Sequence, residues 1–496
     1  MLRKIRIILA AVMFIGITLL FLDFTGTMHH WVAWMPKLQF LEAVLALNVV
    51  VIVALIVLTL VFGRIYCSVI CPLGVMQDII GWLGKKQKKN RYSYSKAMSW
   101  LRYTMLGIFG VGLVLSFFAG IGIVVQLLAP YSAFGRIATN LLQPVYLAGN
   151  NLLADLAEQY NSYAFYHSEL WMRSLPALII AAVTLIILFI LAWRNGRTYC
   201  NTICPVGTTL SFLSRYSWMK IQFDSDKCRN CSLCSKNCKA ACIDFKSHSV
   251  DYSRCVVCGD CVESCKFGAL AYKPYNKAHE SRNANQPDLG RRSFLIGATL
   301  ASTAVLAQEK KKVDGGLAAI AKRVVPERQT ALTPPGSLSA EHLASHCTGC
   351  QLCISECPNQ VLRPSTSLLT MMQPTMSYEL GYCRPECTRC SEVCPADAIQ
   401  RIDPIEKSSI QIGHAVWVKQ NCVSVNDGVQ CGNCARHCPT GAIEMVPMDA
   451  NDGDSPLIPS INEAVCIGCG ACENLCPGKD GQSAIVVEGH EVHKMI

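Results

Sequence analysis

The spacing of the cysteines constrains the fold of this chain more than any other feature. Nearly all of its 29 Cys residues fall in tight C-x2-C or C-x3-C groups. Such spacing directs several thiolates at one centre, which is typical of metal or iron–sulfur ligation and not of a disulfide framework. Sets of four soft thiolates favour iron–sulfur clusters or zinc. The sequence therefore predicts several thiolate-bound metal centres.

Two runs between residues 221 and 272 match the pattern of a bacterial two-cluster ferredoxin. In that pattern the fourth cysteine of each run ligates the other run's cluster. We therefore predict that one [4Fe–4S] cluster is held by Cys228, Cys231, Cys234 and Cys265, and its neighbour by Cys255, Cys258, Cys261 and Cys238. Structural zinc is the disfavoured alternative, because zinc sites use two cysteine pairs with a longer gap. A spare Cys242 leaves open which of Cys238 and Cys242 is the ligand.

Four further groups lie in residues 347–496, and each ends in Cys-Pro. Sixteen thiols suit four [4Fe–4S] clusters. The groups are Cys347, Cys350, Cys353, Cys357; Cys383, Cys387, Cys390, Cys394; Cys422, Cys431, Cys434, Cys438; and Cys466, Cys469, Cys472, Cys476. We expect nested pairing, the first group with the fourth and the second with the third, in preference to sequential pairing. Short apolar pieces at 398–399 and 441–443 predict the small strands of ferredoxin-like folds.

The first 220 residues predict a helical membrane domain. With 51% hydrophobic and only 16% charged residues, the chain is more apolar than an average soluble protein. Four apolar stretches, at about 5–24, 39–62, 103–128 and 175–193, are each long enough for a membrane-spanning helix. Lys and Arg cluster at the N-terminus and at 85–91, which predicts a cytoplasmic location for both. The same clustering explains the net charge of +10, so we do not predict a nucleic-acid partner.

A repeat organises this membrane domain. Residues 63–74, with the motif C-x3-C-P, recur as residues 196–207. Two predicted spans separate the copies, so both lie at the same membrane face, and a pseudo-two-fold axis along the membrane normal relates them. That axis would bring together Cys67, Cys71, Cys200 and Cys204. These thiols could hold a further [4Fe–4S] cluster, act as two redox-active pairs, or cap helix ends structurally.

The histidines and carboxylates of the membrane domain indicate which cofactors and proton acceptors it can have. No histidine falls inside a predicted span and C-x-x-C-H does not occur, so neither membrane b-haem nor attached c-haem is predicted. Ionisable residues predicted at the outer side could accept protons from a quinol, although exposed carboxylates are usually just solvated. They are Glu42, Asp155, Glu158, His167 and Glu169.

A short stretch in the middle of the chain predicts which side of the membrane each half occupies. After a polar linker at 273–290, Arg291 and Arg292 precede Phe-Leu and an apolar run to residue 307, which is typical of a twin-arginine export signal or membrane anchor. A plain fifth membrane helix and a soluble helix are the alternatives. Residues 221–290 are predicted to be cytoplasmic in each case, because no span separates them from the second C-x3-C-P copy. The first two interpretations place a tether at 308–346, with residues 347–496, in the periplasm.

The first half of the chain resembles a known family. Residues 1–272 resemble the NapH-type membrane ferredoxins of periplasmic nitrate reductase systems, which are also related to NosR and to cytochrome-oxidase accessory ferredoxins. The two C-x3-C-P copies and the double ferredoxin run carry this resemblance.

The second half resembles another family, so the chain reads as a fusion. Residues 291–496 are similar to the NapG/MauM-type exported ferredoxins through the twin arginines, Pro334–Leu338, the long gap from Cys422 to Cys431, and residues 466–472. The second cysteine group departs from that pattern, with C-x3-C-x2-C in place of C-x2-C-x4-C.

Together the resemblances imply a membrane-bound electron-transfer protein of the bacterial inner membrane. They imply a helical membrane domain with α+β ferredoxin-like domains, six [4Fe–4S] clusters, and a seventh if the C-x3-C-P thiols bind one. Menaquinol or another quinol would be the donor, and a periplasmic reductase such as nitrate reductase, or a c-type cytochrome, the acceptor. The alternative is a maturation factor that reduces a metal or thiols during assembly of a respiratory enzyme. The sequence shows no nucleotide-binding glycine motif or nucleophile constellation, so no catalytic residue is assigned.

Overall fold

The computed structural model of the protein describes residues 2–87, 92–162, 164–168, 173–224, 226–275, 323–449, 455–479 and 481–496. Arg291, Arg292 and the apolar run to residue 307 lie outside the described residues, as does Glu169. The export signal therefore stays a prediction.

The described residues between 2 and 214 are mostly helical. The helices are α1 (Leu2–Leu22), α2 (His29–Val32), α3 (Phe40–Leu45), α4 (Val49–Phe62), α5 (Tyr66–Val69), α6 (Pro72–Gln87), α7 (Ser99–Ala119), α8 (Ile123–Leu128), α9 (Pro130–Ile137), α10 (Gln143–Gln159), α11 (Leu175–Asn195), α12 (Thr198–Thr202) and α13 (Pro205–Ser214). A 3-10 turn, Pro36–Leu38, precedes α3, and a π-helical turn, Ala138–Leu142, joins α9 to α10. Within the described residues, α1, α7 and α11 are long and apolar enough to cross a membrane.

Two of the four predicted spans differ from the helices observed. The second, 39–62, is divided: the chain turns at Leu47, whose φ is +51°, and the Asn48 side chain accepts a hydrogen bond from the Val51 N–H to begin α4. The third ends early, at Ala119, because Gly120 adopts a left-handed conformation. Hydropathy alone cannot reveal either break, because a hydropathy window averages the few turn residues with the apolar helices around them. The expectation of a single helix over 39–62 is wrong.

The first ferredoxin module, residues 219–275, follows α13 directly. It contains β1 (Met219–Phe223), α14 (Leu233–Asn237), β2 (Ile243–Asp244), β3 (Ser249–Val250), α15 (Asp260–Ser264) and β4 (Leu270–Pro274). β1 pairs with β4 and β2 with β3, both antiparallel. The first and last strands thus close the module around its cysteine loops.

The C-terminal module comprises residues 323–496 where described. Its elements are α16 (Ala340–His346), α17 (Leu352–Ser355), β5 (Leu362–Pro364), β6 (Pro374–Met376), α18 (Arg389–Val393), α19 (Pro404–Ser409), β7 (Ile410–Trp417), a 3-10 turn (Lys419–Asn421), α20 (Val423–Asn426), α21 (Asn433–Arg436), β8 (Ile443–Pro447), β9 (Leu457–Ile461), a 3-10 turn (Glu463–Val465), α22 (Ala471–Asn474) and β10 (Ile485–Met495). β7 pairs with β10, β5 with β6 and β8 with β9, all antiparallel.

Two expectations for this module need correction. A strand does begin at Ile443, but Ala398 and Ile399 form a buried turn, in which the Ile399 N–H donates to the Cys394 sulfur at 3.4 Å. The described part of the predicted tether belongs to the folded module, since the Val324 N–H bonds to the Gly481 carbonyl at 3.0 Å.

The two ferredoxin modules lie at opposite ends of the long helices. Near the start of α1, Arg3 pairs with Asp260 at 2.9 Å and also with Glu263, whereas beyond its end His29 lies 2.6 Å from Glu392. At about 1.5 Å per residue, the 21 residues of α1 span roughly 31 Å.

Helix α7 repeats the same arrangement. Arg102 near its start donates to the Ser253 carbonyl at 3.0 Å, and Ser116 near its end donates to the Ala344 carbonyl at 3.2 Å. The helical domain therefore separates the two modules by the length of a membrane-spanning helix.

Candidate iron–sulfur centres

The cysteines of the first ferredoxin module form two sets. Cys228, Cys231, Cys234 and Cys265 line one small cavity, between the rings of Phe223, Phe245 and Phe267. Burial and then the charges of the remaining three, Cys258, Cys238 and Cys255, raise the pKa of the Cys261 thiol. Cys261 therefore lies close to these three, and the four form the second set. The two sets are grouped as the sequence predicts, with the fourth cysteines exchanged.

The spare cysteine adjoins the second set. The sulfur of Cys242 is buried, 3.4 Å from that of Cys238. A hydrogen bond from Cys242 is the main cause that lowers the pKa of Cys238. Cys238 is the fourth cysteine of its run and therefore the ligand that the two-cluster pattern predicts, and Cys242 lies directly beside it.

In the C-terminal module the first cysteine group exchanges its fourth member with the second. Cys357 joins Cys383, Cys387 and Cys390 around one cavity. Cys350 lies instead with Cys347, Cys353 and Cys394, whose proximity contributes, after burial, to a raised pKa of the Cys350 and Cys353 thiols.

The third and fourth groups pair in the same way. Cys422, Cys431, Cys434 and Cys476 line one cavity. After burial, the charges of Cys469, Cys466 and Cys438 raise the pKa of the Cys472 thiol, so these four cysteines lie close together and form the other set.

The expectation of nested pairing is therefore wrong. The first group pairs with the second and the third with the fourth. Pairing between neighbouring groups closes shorter loops than nested pairing, at a smaller cost in chain entropy.

The two pairs of groups touch one another. The Cys383 N–H donates to the Cys469 carbonyl at 3.0 Å, and the Tyr378 hydroxyl donates to the Gly468 carbonyl at 2.6 Å. These contacts join the set that contains Cys383 to the set that contains Cys469. The four sets of the module thus form a continuous series that begins at Cys350 and ends at Cys422.

The two C-x3-C-P copies face each other inside the helical domain. Arg64 of the first copy donates to the Cys200 carbonyl at 3.1 Å and to the Asn201 side chain at 2.9 Å. Arg197 of the second copy donates to the Cys67 carbonyl. Each arginine therefore crosses to the other copy, as a pseudo-two-fold relation requires.

The four cysteines of these copies are buried, and each sulfur accepts a hydrogen bond from an N–H group. The sulfur of Cys67 accepts from Arg64 at 3.8 Å. Cys200 accepts from the Gln77 amide at 3.3 Å. The backbone N–H groups of Gly74 and Gly207 donate to Cys71 and Cys204, the latter at 3.3 Å.

The charges around these sulfurs fit an anionic centre. Arg64 is fully buried and has no carboxylate partner among the described residues. A buried cation needs a counter-charge, and thiolates supply one where neutral structural thiols would not. Among the described residues, no group of three or more Cys, His, Asp or Glu side chains lies close enough to hold a single metal ion. Four buried sulfurs with N–H donors and a buried arginine beside them fit an iron–sulfur cluster.

Helix α9 connects this four-thiol site to the C-terminal module. Its Phe134 packs on Phe14 and Phe21 of α1, with ring centroids 5.5 and 6.1 Å apart. At one end the Tyr199 hydroxyl, next to Cys200, donates to the Leu128 carbonyl at 3.4 Å.

The other end of the connection reaches the C-terminal module. Gly135 lies against the Cys350 carbonyl, where a Cβ would collide with it. Arg136 is fully buried between Tyr199 and Cys350, donates to the Gln126 carbonyl at 2.7 Å, and has no carboxylate partner in the described part of the chain.

The structure brings together three of the predicted outer-side proton acceptors, and Glu42 is not part of their cluster. Asp155, Glu158 and His167 form a surface cluster, with His167 lying 3.3 and 3.6 Å from the two carboxylates and all three side chains about half exposed. Glu42 is fully buried, and its Oε1 atom lacks a hydrogen-bond partner among the described residues.

Sequence reasoning missed the buried charges that organise the site. Asp78 pairs with Arg197 at 2.7 Å, with Lys239 at 3.2 Å and also with Arg6. Arg136 is a second example. The signal was available in the sequence as isolated charges within apolar stretches, which tend to be functional in membrane domains.

Family models for iron–sulfur binding match the segments that carry these cysteines. A 4Fe-4S binding domain matches residues 44–90 and 175–224, which contain the two C-x3-C-P copies. A 4Fe-4S dicluster domain matches 346–398 and 429–479, and a further 4Fe-4S binding domain matches 248–271. The dicluster boundaries agree with sequential pairing.

A relative that is matched over most of its own length identifies the family. Ferredoxin-type protein NapG of Escherichia coli is 30% identical over 212 residues, which cover 40% of this chain and 84% of NapG. This chain belongs to the NapG family of ferredoxin-type proteins. The ferredoxin-type protein MauM of Paracoccus denitrificans, for methylamine utilization, is 31% identical over 172 residues, 32% of this chain and 73% of MauM.

The NapG-family chain is also similar to YccM of Escherichia coli, a putative electron transport protein, with 28% identity over 198 residues, 40% of this chain and 47% of YccM. No solved structure matches. The predicted resemblance to ferredoxin-type proteins with 4Fe-4S domains is confirmed, and the NapG-family chain is an iron–sulfur electron-transfer protein.

Proposed function

We propose that the protein oxidises quinol in the bacterial inner membrane and passes the electrons outward to a periplasmic oxidoreductase, such as nitrate reductase, or to a c-type cytochrome. One observation carries this proposal: sets of four cysteines recur from the first ferredoxin module, through the helical domain, to the far end of the C-terminal module. Hydrogen bonds from Arg64 and Asn201 join the four-thiol site to the first module, and α9 joins it to Cys350.

Each cysteine set has a defined role in the proposal. The two sets of the first module and the four sets of the C-terminal module hold six [4Fe–4S] clusters, and Cys67, Cys71, Cys200 and Cys204 hold a seventh. A bound cluster supplies one-electron redox chemistry. The protein residues keep the thiolates buried, direct N–H groups at the sulfurs and exclude water.

The residues between the four-thiol site and Cys350 determine how well the charge of a transferred electron is stabilised on its way to the C-terminal module. An electron in this apolar interior adds a negative charge that water cannot solvate. The Arg136 guanidinium, placed between Tyr199 and Cys350 without a carboxylate in the described residues, stabilises that charge. Arg64 does the same beside Cys67 and Cys200.

The positive-inside pattern gives the orientation in this proposal. Arg3 and Arg6 lie at the end of α1 that contacts the first module, so residues 221–290 are cytoplasmic. Residues 308–496 are then periplasmic, since the C-terminal module contacts the opposite end. This location gives the last cysteine sets access to periplasmic acceptors.

The burial of the C-x3-C-P thiols argues against the alternative function. A maturation factor that reduces thiols or a metal of another protein needs sulfur atoms that its client can reach. Cys67, Cys71, Cys200 and Cys204 are at most 5% exposed. Electron transfer over a short distance is compatible with such burial, whereas thiol exchange is not.

The test uses the full chain with its clusters in native membranes. Menaquinol is added without oxygen, and electron paramagnetic resonance follows the clusters of the C-terminal module. We expect them to become reduced at a rate well above that with menaquinone. C-terminal clusters that stay oxidised with menaquinol, yet become reduced with dithionite, would contradict the proposal.

A further inference from the structure

A large cavity lies at the end of the helical domain that faces the first ferredoxin module. It has a volume of about 780 Å³ and is bounded by α1, α6 and the module, a size suited to a small-molecule ligand. Its apolar wall consists of residues that project from α1 and α6, namely Ile7, Ala10, Ala11, Phe14, Ile15, Ile79 and Trp82. Ile15 and Trp82 are more than half exposed at the outside of the helices, so the cavity opens towards lipid.

The inner end of the cavity is polar. Lys239 bridges Asp78 and Asp260, with its ammonium group 3.2 and 3.0 Å from the two carboxylates. Arg3 continues the series from Asp260, at 2.9 Å, to Glu263, whose side chain is 49% exposed. An unbroken chain of charged side chains therefore connects the buried Asp78 to the water-facing surface of the first module.

Two cysteine sets flank this polar end. Gln77 lines the cavity, and its amide donates to the Cys200 sulfur at 3.3 Å. Lys239 and Asp260, which also line it, are sequence neighbours of Cys238 and Cys261. A ligand in the cavity would thus lie between the four-thiol site and the second set of the first module.

One residue that lines the cavity, Gln77, has a side-chain oxygen without a hydrogen-bond donor in the described part of the chain. The Gln77 Oε1 atom is buried and has no donor among the described residues, while the amide nitrogen of the same group is already used by Cys200. An unpaired buried acceptor calls for an O–H or N–H group on the ligand. A quinol hydroxyl provides one, whereas a phosphate oxygen would face the amide oxygen with no proton to share.

We propose that this cavity is the quinol site, with the ring at Gln77 and Asp78 and the isoprenoid tail along the apolar wall of α1 and α6. The inference rests on the proposed function and gives it a location. The proposed location also differs from the outer side, where the sequence suggested proton acceptors, since Glu42, Asp155 and Glu158 do not line the cavity.

The oxidation balances at this location. Both O–H bonds of the quinol break, and it becomes a quinone by losing two electrons and two protons. The protons leave at the polar end of the cavity, where the carboxylates of Asp260 and Glu263 accept them and release them to water. Lys239 and Arg3, which are already protonated, hold these carboxylates in place. The electrons are accepted singly by the [4Fe–4S] clusters that the two flanking cysteine sets would hold.

A pair of neighbouring residues on α1 provides the test. Ala11 lines the cavity, whereas Val12 is 54% exposed and does not. Holoprotein with Ala11→Trp or Val12→Trp is irradiated with an azido-menaquinone in membranes, and the labelled peptides are mapped. Reduction of the clusters by menaquinol is measured in parallel, with iron content and reduction by dithionite as controls for folding.

We expect label on α1 and α6 of the unsubstituted protein, and a loss of at least about tenfold in both labelling and menaquinol-driven reduction with Ala11→Trp. Val12→Trp should retain both. Ala11→Leu, a smaller change for the case in which tryptophan disturbs folding, should give an intermediate loss at unchanged iron content.

Three results would overturn the inference in distinguishable ways. Label near Glu42, or full activity of Ala11→Trp, would refute the site while the quinol function stands. Phospholipid found in the cavity by native mass spectrometry, and not displaced by menaquinone, would identify a lipid site instead. No menaquinol-driven reduction of the unsubstituted protein would refute the function itself, and the site with it.

Discussion

The ferredoxin modules and the four-thiol site hold their cysteines by different means. In the first module all the cysteines of both sets come from one segment, residues 228–265, so local loops bring them together. In the helical domain Cys67 and Cys200 come from distant copies of a repeat, and arginines that cross between the copies hold them in place. A ferredoxin set therefore depends on loop geometry, whereas the four-thiol site depends on buried charge and symmetry.

The largest expected effect comes from removing a sulfur of the symmetric site. Cys67→Ser should remove one [4Fe–4S] equivalent of iron and abolish menaquinol reduction of the C-terminal clusters, because one of four ligands is lost. Iron analysis and electron paramagnetic resonance measure both. Cys242→Ser, a buried thiol that is spare in the first module, should leave the iron content unchanged; equal iron loss in both variants would contradict the distinction.

The next largest effect is expected from removing the charge of Arg64, whose side chain reaches from the first C-x3-C-P copy to the second. Arg64→Met should destabilise the four-thiol site by about 3–5 kcal/mol, as removal of one partner of a buried charge interaction does. The variant is expected to lose the cluster of that site at elevated temperature, followed by absorbance. The matched variant Arg229→Met, an exposed arginine beside Cys228, should change cluster stability little. Equal effects would mean that buried charge does not distinguish the two regions.

Slower electron transfer to the C-terminal module is expected without the second buried arginine, Arg136. Arg136→Met should leave the iron content intact and slow electron transfer from the four-thiol site to the C-terminal clusters, because the added charge is no longer stabilised. Rapid-freeze electron paramagnetic resonance can follow the two groups of clusters separately after mixing with menaquinol. Unchanged kinetics of the C-terminal clusters would show that the charge of Arg136 does not act on the path.

A pH effect is expected where the helical domain meets the C-terminal module. The nearby carboxylates of Glu356, at 3.6 Å, and then of Glu392, at 2.6 Å, raise the pKa of His29, although burial opposes them. A raised pKa stabilises the contact below the ordinary pKa of histidine, and this contribution is lost as the pH rises through the raised value. Protease nicking between the domains should increase over that range in the native protein. His29→Gln should remove the pH dependence, and an unaltered profile would refute it.

The smallest effect is expected at the outer-surface acids. Asp155→Asn together with Glu158→Gln should change stability by less than about 0.5 kcal/mol, because both side chains are more than half exposed. Menaquinol-driven reduction should equal that of the unsubstituted protein. A clear loss of activity would return the search for proton acceptors to this surface.

The predictable parts of the protein are those that local sequence determines. The exchange of Cys265 with Cys238 follows from spacing, because each run is short and closes its own loop. The pairing of the four C-terminal groups is not encoded in spacing within a group, and the dicluster arrangement around Cys357 and Cys394 appeared only in the structure.

The helical domain was harder to predict because hydropathy averages over turns. Asn48 is the one polar residue at a break that separates α3 from α4. The cavity between α1 and α6 depends on the placement of the first module against both helices, which no pattern in either helix reveals. The repeat was the exception, since identical motifs at equal membrane depth predicted the meeting of Cys67 and Cys200.

The position of the two modules at opposite ends of α1 has an energetic consequence. With the proposed orientation, electrons move from the negative to the positive side of the energised membrane. The field then contributes about 2.3 kcal/mol for each electron and each 100 mV of membrane potential that it crosses. A quinol of modest reducing power could therefore reduce acceptors of lower potential in respiring cells than in broken membranes. The protein would act as a voltage-assisted reductase, and its rate would fall when the membrane is depolarised.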